Sequence, residues 1–574
     1  MSHGHHHHHH GHDHDHGHGH GHHEADSGPL PEALDLAIPD SELSPAQLSR
    51  RGMLRSAGLL GAGIAGAGLV TGAATPAAAA SPAGRGGGGG GRRLRWLAGD
   101  HHIHTQFSSD GMYRVGDQVR NGARFGLDWM VITDHGSVNH SRIGVEKVNP
   151  EIRAARETHD DTLVFQGLEW NIPSAEHGTV FVHPGRDEVR VLKQFETDYD
   201  GSINNASGNS PANEALAIAG LDFLAEQVRR RKVKDALMLA NHPARQGVDS
   251  PHEIRAWRDA QPRIAVGFEG APGHQAAGIA EPHGPGGGRG YYAGSPGPNS
   301  FPGYPAESYR TWGGFDWMTA TVGGLWDSLL SEGKPWWITA NSDSHANYAD
   351  ASARPEGTDF DANGYHDDPV YAGTGLNLGA GDFWPGQYSR THVGSTDFSY
   401  AAVMEGIRRG RIWVDHGGLI AGFDAQLRGG GRSVTLGDTL LVRRGTKVEL
   451  RLEIELAHTP NWATFLPRLA RVDVIRGAVT GDAADRDTFH APDTRVVKSF
   501  DVNQTEGTVT FTYDLGRVSE PAYVRVRGTD GKRSQVGLGG ARVDPAGPAL
   551  DVLGDADPWE DLWFYANPIW VLPE

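Results

Sequence analysis

Between about residues 95 and 345 the chain repeats one pattern: a short, unbroken apolar run that stops at a polar residue of the metal-ligating type. Trp129-Met130-Val131-Ile132-Thr133 stops at Asp134-His135, and Leu163–Leu168 stops at Glu169. Ala236–Ala240 stops at Asn241-His242-Pro243, and Trp336–Ala340 stops at Asn341-Ser342-Asp343-Ser344-His345. Continuous apolar runs of this length predict strands buried on both faces, as in parallel sheets. Between them, Ser141–His159, Asn213–Lys232 and Thr319–Lys334 carry apolar residues at helical spacing. Strands alternating with helices, with polar groups gathered where the strands end, predict a β/α barrel whose working face is the C-terminal end of its strands.

Beyond Gly422 the pattern changes. Val448, Leu450, Leu452, Ile454 and Leu456 alternate with polar neighbours over Lys447–Leu456, and Thr508–Tyr513 and Tyr523–Arg527 repeat the alternation between turn residues. This predicts an all-β antiparallel sandwich. It shows no aromatic platform, which favours a structural role over carbohydrate or cell-surface binding. The aromatic segment Trp559–Val571 is expected to dock back on the body. Two long Gly- and Pro-rich stretches interrupt the barrel region. Gly273–Arg310 holds Tyr291, Tyr292, Phe301 and Tyr304, and Asn347–Gly394 holds Tyr365, His366, Phe383 and Trp384. Such loops either overhang the mouth and sandwich a ring or sugar, or pack their aromatics on one another.

The chemistry begins at Asp100-His101-His102-Ile103-His104-Thr105, followed by Asp110-Gly111. His102 and His104, two apart on an extended segment, project from one face, and His101 from the other. A lone histidine at a strand end is commonly a hydrogen-bonded structural residue. Five such segments in order on one chain point instead to a metal centre. Asp100 and Asp134 each precede a ligand-type histidine and are expected to accept a hydrogen bond from an imidazole, fixing its tautomer. The chain has no cysteine, which excludes thiolate sites and disulfides. Mixed imidazole and carboxylate donors suit Zn, Mn or Fe.

The ordered set His-x-His, Ser-Asp-Gly, Thr-Asp-His, Gly-x-Glu, a later His before a strand, Asn-His-Pro and Ser-Asp-Ser-His resembles the PHP (polymerase and histidinol phosphatase) metallohydrolases, from about Arg95 to Gly422. The resemblance implies a distorted (β/α)7 TIM-like barrel holding two to three divalent transition metals. His102, His104, Glu169 and Asp343 would hold one. Glu169 would bridge to a second, completed by His242 and His177, with His183 as the other choice. Asp110, His135 and His345 would hold the third. The implied chemistry is hydrolysis by a metal-activated water, with no protein nucleophile. Arg245 is a candidate phosphate clamp, or else one half of a surface ion pair. The stretch Glu405–Val414, followed by His416-Gly417, resembles the segment closing barrels of the carbaryl-hydrolase type, which attack carboxylic or carbamate esters. The resemblance therefore implies a phosphoesterase, or alternatively a carboxylic or carbamate esterase. From another class, a non-catalytic metal- or ligand-binding module would be expected to have lost some of these donors.

Charge narrows the partners. The 574 residues carry 52 Lys and Arg against 71 Asp and Glu, a net −19. Residues 1–80 hold 8 of the acids and 3 of the bases, so the remainder is still at −14. A body this acidic repels polyanions, which disfavours bulk nucleic-acid binding and favours a small-molecule ester substrate. Arg50-Arg51 precedes a Gly- and Ala-rich, weakly apolar run and Ala77–Ala80. This pattern resembles a twin-arginine export signal, implying that export machinery as a partner and an extracellular or cell-envelope location. The run is too short and glycine-rich for a permanent membrane anchor. Fourteen of the 32 histidines lie in the first 23 residues. That tract either loads metal or is a solvated segment discarded on cleavage, the second being favoured. The expected organisation is a His-rich, acidic n-region (1–48), the signal (49–80), a Gly-rich linker (81–94), the barrel (95–422) and the β-sandwich (423–574).

Overall fold

In a computed structural model of the chain, the described residues are 94–272, 296–309, 311–312, 314–373, 382–462, 466–531 and 562–574. The His-rich leader, the signal segment, all but the last residue of the linker, and Tyr291 and Tyr292 lie outside them.

Seven strands lie side by side in sequence order: β1 (Arg95–Asp100), β2 (Trp129–Ile132), β3 (Leu163–Asn171), β4 (His177–Val182), β5 (Ala236–Ala240), β6 (Ala265–Pro272) and β7 (Trp337–Asn341). Every residue of β2 and β5 is buried, as their unbroken apolar runs require. β1, β2 and β3 are parallel, as are β5, β6 and β7. β4 departs from the parallel expectation, running antiparallel to both β3 and β5. The cause is local. Ile172 N–H donates to Glu176 O at 2.9 Å, so the chain turns straight back after β3. A parallel neighbour would need a crossover of a dozen or so residues.

Five helices cover this sheet: α1 (Val115–Arg124), α2 (Val145–Thr158), α3 (Glu188–Tyr199), α4 (Pro211–Arg229) and α5 (Pro251–Ala260). α4 and α5 start at serines with proline at the first helical position. Ser250 and Glu253 form a reciprocal capping box on α5. The helix expected over Thr319–Lys334 is broken. A turn over Trp317–Ala320 and a short helix α6 (Leu325–Ser331) flank Gly323, which sits at φ +74°. A left-handed residue cannot continue a right-handed helix.

β8 (Ser389–Ser395) pairs antiparallel with β1, helix α7 (Tyr400–Arg408) follows it, and β9 (Ile412–His416) pairs with β8. β7 and β8 share no backbone ladder. Thr391 Oγ1 instead accepts from Ala340 N–H and donates to Ala340 O, both at 2.8 Å. Asn567 likewise takes Ile338 N–H at 3.0 Å.

After β9 come β10 (Ile420–Gly429), β11 (Arg432–Val434), β12 (Thr439–Val442), β13 (Thr446–Leu456), β14 (Arg471–Ala478), β15 (Arg495–Asp501), β16 (Thr508–Val518), β17 (Ala522–Thr529) and β18 (Trp563–Pro573). One antiparallel sheet has the order β11-β10-β13-β16. The sheet facing it continues the seven-stranded sheet outward from β1 in the order β8-β9-β18-β17-β14-β15, with β12 beside β18. Leu450, Leu452 and Ile454 pack in one core with Val472, Val474, Val524 and Val526 of the facing sheet. The sandwich expected over 423–574 thus shares a sheet with β1–β7. The aromatic C-terminal segment does dock back, as β18, between β17 and β9.

A buried polar joint lies where α6 meets β17. Asp327 accepts from Arg525 Nε at 2.8 Å and from Tyr523 OH at 2.9 Å. Among the described residues, no helix is long and apolar enough to cross a membrane.

Candidate metal centre

The reversal of β4 positions the site. Residues at the start of an antiparallel strand lie at the same end as the C-terminal ends of its parallel neighbours. His177, the first residue of β4, therefore joins Glu169 near the end of β3 and His242 just past β5. His183, at the other end of β4, turns its Nδ1 to Pro184 O at 2.8 Å, away from this group. Asp343 and His345 follow β7, and His102 and His104 follow β1, where Ile103 bridges to Ser344. The Asp110 segment folds back on the His-x-His segment through Gly111, where a Cβ would lie 2.0 Å from Thr105 O. His242 and Asp343 hold φ of 29° and 47°, two of the five non-glycine residues at positive φ among the described residues. Backbone in this region is rarely populated and concentrates at functional sites.

Glu169 is the hub. Its Oε1 lies 3.1 Å from His102 Nε2, 3.1 Å from His177 Nδ1 and 3.2 Å from His242 Nε2. Its Oε2 lies 2.9 Å from His135 Nδ1 and 3.2 Å from His104 Nε2. His102 Nε2 and His104 Nε2 stand 3.1 Å apart, each within 3.1 Å of Asp343 Oδ1. Asp110 Oδ2 is 3.2 Å from His135 Nε2 and 3.4 Å from His345 Nε2. Ligands held about 2.0–2.2 Å from one ion stand roughly 3–3.5 Å from each other. Donors at these separations are spaced for ions between them. Groups able to hold an ion are His102-His104-Asp343, His102-Glu169-His242, His135-Glu169-His177 and His104-Asp110-His135-His345. His104 thus also stands with the Asp110 group, which the sequence pattern did not foresee.

The protonation pattern shows the same demand for positive charge. Burial opposes charging His102, but Asp343, Glu169 and Glu269 outweigh it and hold its pKa well above the usual value. Burial likewise works against His345, yet Asp110 and Asp343 push it up to about 10. Burial would raise Glu169, but His102, His135 and His177 hold it well below the carboxylate range. Protons on imidazoles and metal ions compete for the same neutralising role. His242 differs: burial and the Arg245 charge depress it to about 3, so it is a neutral imidazole, the form that ligates metal.

Asp100 and Asp134 do not accept from ligand imidazoles, contrary to expectation. Asp100 accepts the backbone N–H groups of His102 and Ser342, both at 3.0 Å. Asp134 accepts Thr105 N–H at 2.6 Å and the Thr105 hydroxyl at 2.9 Å. Each clamps the backbone of a ligand-bearing segment instead. The carboxylate that orients an imidazole is Glu269, at 2.8 Å from His102 Nδ1. Ala265-Val266-Gly267-Phe268-Glu269 has the same form as the other segments, an apolar run ending in an acid, so the signal was present. A second unforeseen neighbour is Glu176, which groups with His177 and His242 and has a buried Oε1 without a hydrogen-bond partner. Its Oε2 takes Arg245 Nη2 at 3.1 Å, so Arg245 stands beside the centre already paired. His101 points between Thr179 and Thr339, at 3.1 and 2.8 Å, inside the sheet.

The centre opens on one side. Asp110 is 51% exposed, Arg245 31%, His135 23% and His177 20%, whereas His102, His104 and Glu169 are sealed. The loop aromatics pack on neighbours: Tyr365 on Phe107, Trp384 on Tyr113, Phe383 on Tyr388, and Phe301 and Tyr304 on each other and Phe489.

No curated protein sequence matches the chain. A solved structure from Bacteroides vulgatus, described as a two-domain protein containing a predicted PHP-like metal-dependent phosphoesterase, shares 14% identity with it. That alignment covers 76% of this chain and 95% of the other at a TM-score of 0.28. The family model described as PHP domain matches residues 100–238. That span holds His102, His104, Asp110, His135, Glu169 and His177, while His242, Asp343 and His345 join the same centre from beyond it. The chain carries a PHP domain at residues 100–238.

Proposed function

We propose that the chain is an exported, metal-dependent phosphoesterase that hydrolyses phosphomonoesters or phosphodiesters with water at a centre of two to three divalent ions. The observation that carries this reading is the convergence of donors from separate strand ends on Glu169 at spacings suited to bound ions. His102, His104, Glu169 and Asp343 would hold one ion, Glu169, His177 and His242 a second, and Asp110, His135 and His345 a third. Zn, Mn or Fe, when bound, would make a coordinated water nucleophilic near neutral pH and draw charge from the attacked centre.

The protein's own residues prepare that chemistry. Glu269 holds the proton of His102 on Nδ1, Ser108 Oγ lies 2.9 Å from His104 Nδ1, and Asp343 O accepts from His345 Nδ1 at 2.8 Å. With an ion bound, each of these imidazoles would turn its Nε2 lone pair to the centre. The sealed floor excludes water, leaving approach over the Asp110–His177 rim. Arg245, anchored by Glu176, brings a guanidinium to that rim, where it would bind phosphoryl oxygens. Export by the twin-arginine route belongs to this proposal and rests on Arg50-Arg51 and the segment after them.

The test is elemental analysis of residues 81–574, free of the His-rich leader, followed by a screen of phosphate and carboxylic esters with the parent and Glu169→Gln. The proposal expects two to three transition metals per chain, phosphoester turnover, and loss of both in the variant. Turnover of carboxylic or carbamate esters alone would reassign the substrate. A protein that takes up no Zn, Mn or Fe would overturn the enzyme reading.

A further inference from the structure

The insertion after His345 brings a second cation, Arg354, next to Asp110, the most exposed donor of the centre. Residues 347–373 strap over the segment that bears Asp110. Asn347 N–H donates to Tyr113 OH at 2.7 Å, and His366 N–H to Gln106 O at 2.8 Å. His366 Nε2 lies 2.8 Å from Ser109 O, and Asn139 Nδ2 donates to Asp361 Oδ1 at 2.9 Å. Inside the strap, Ser352-Ala353 pairs with Val370-Tyr371 as a two-stranded ribbon. Arg354 leaves that ribbon and donates from Nη2 to Gly111 O at 2.8 Å, the residue after Asp110.

This guanidinium differs from Arg245. Among the described residues no carboxylate lies within ion-pair distance of it, and its Nε–H is buried without a hydrogen-bond partner. A partly buried cation with unmet donors is costly unless something else satisfies it. One N–H is fixed by the carbonyl of Gly111, the residue after Asp110, which holds the guanidinium next to the most exposed donor of the centre. Forked guanidinium donors match the oxygens of a phosphoryl group.

We propose that Arg354 is a specificity-determining residue that binds a non-bridging oxygen of the substrate's phosphoryl group. With Arg245 it gives the rim two fixed cations, which selects a terminal phosphate, a dianion, over a diester monoanion. The inference rests on the phosphoesterase reading and narrows it to phosphomonoesters.

The full chain and its Arg354→Gln and Arg354→Lys variants are compared on p-nitrophenyl phosphate and bis(p-nitrophenyl) phosphate. Metal content and melting temperature are measured, and orthophosphate binding is followed by calorimetry. Loss of charge-assisted hydrogen bonds should raise KM for the monoester about 10- to 100-fold in R354Q and weaken orthophosphate by a similar factor. The diester KM should rise less, metal content should hold, and R354K should fall between. Should R354Q not fold, the intermediate loss in R354K carries the test. Unchanged monoester KM and unchanged orthophosphate affinity would show that Arg354 only ties the strap. If the parent turns over neither ester, the phosphoesterase reading fails separately. Orthophosphate then still decides: weaker binding in R354Q keeps Arg354 as an anion site, and equal or absent binding overturns it.

Discussion

Replacing Glu269 with Gln is the sharpest probe of how the centre is held. Glu269 is sealed from solvent. Its Oε1 takes His102 Nδ1 at 2.8 Å and Asn341 Nδ2 at 2.9 Å, and its Oε2 takes His242 N–H at 2.9 Å. All three partners donate when His102 carries its proton on Nδ1. A glutamine has one acceptor and one donor end, so whichever way it sits, a buried donor faces a donor. Leaving such a group unsatisfied costs about 1–3 kcal/mol, which should lower the stability of the metal-free protein. Weakening the partner that orients a ligand imidazole costs about 10- to 100-fold in metal affinity. The assay pairs competition against a chromogenic chelator with thermal unfolding after metal removal. Reduced stability with parental metal affinity would refute the reasoning, showing that Glu269 supports the backbone near His242 without tuning His102.

Three further outcomes are expected. Burial would raise Asp415, but Arg390 and His392 beside it hold its pKa down to about 2. A depressed carboxylate contributes stability that is present above its ordinary 3.8 and lost as pH falls through about 2. Asp415→Asn should thus cost about 2 kcal/mol at pH 7, with the gap closing towards pH 2–3; melting curves showing a pH-independent gap would contradict this. Asp327→Ala strands the buried Arg525 and should destabilise by about 3–5 kcal/mol in denaturant unfolding; a change under 1 kcal/mol would mean the joint is hydrated. Stripping metal should lower the melting temperature, since an ion at a hundred times its Kd stabilises by about 2.7 kcal/mol; an unchanged transition after chelation would argue that the donors fold without an ion.

The strand pattern was legible because burial on both faces writes itself into consecutive apolar residues. Ala236–Ala240 matches its strand residue for residue, and Trp129–Thr133 and Trp336–Ala340 differ from theirs by one position. Strand direction is not written that way, so β4 was not separable from its parallel neighbours. The broken helix around Gly323 was obscured because apolar residues on both sides keep helical spacing. In the site, His102, His104, Asp110, His135, Glu169, His177, His242, Asp343 and His345 all lie in the cluster, and the alternative His183 does not. The partners of those donors were harder to foresee. Asp100 and Asp134 read as imidazole partners because they adjoin histidines in sequence, but side chains on neighbouring residues of extended backbone point apart. Glu269 reaches His102 through strand order, and Arg354 reaches Gly111 through an insertion, neither of which spacing along the chain encodes.

The position of β18 bears on when the molecule can become itself during synthesis. Trp413 pairs with Ala566, and Tyr523 pairs with Trp570, so residues 563–573 form the strand that joins β9 to β17. Until that segment has left the ribosome, both neighbours present bare edges, which recruit other chains. Pairing across so long a stretch of chain is also slow to nucleate. A nascent chain that had already made every metal-ligating residue would therefore still lack the strand that joins β9 to β17. Chaperone capture of the unfinished chain, and early shut-off of the edges by β18, become the steps that separate productive folding from aggregation.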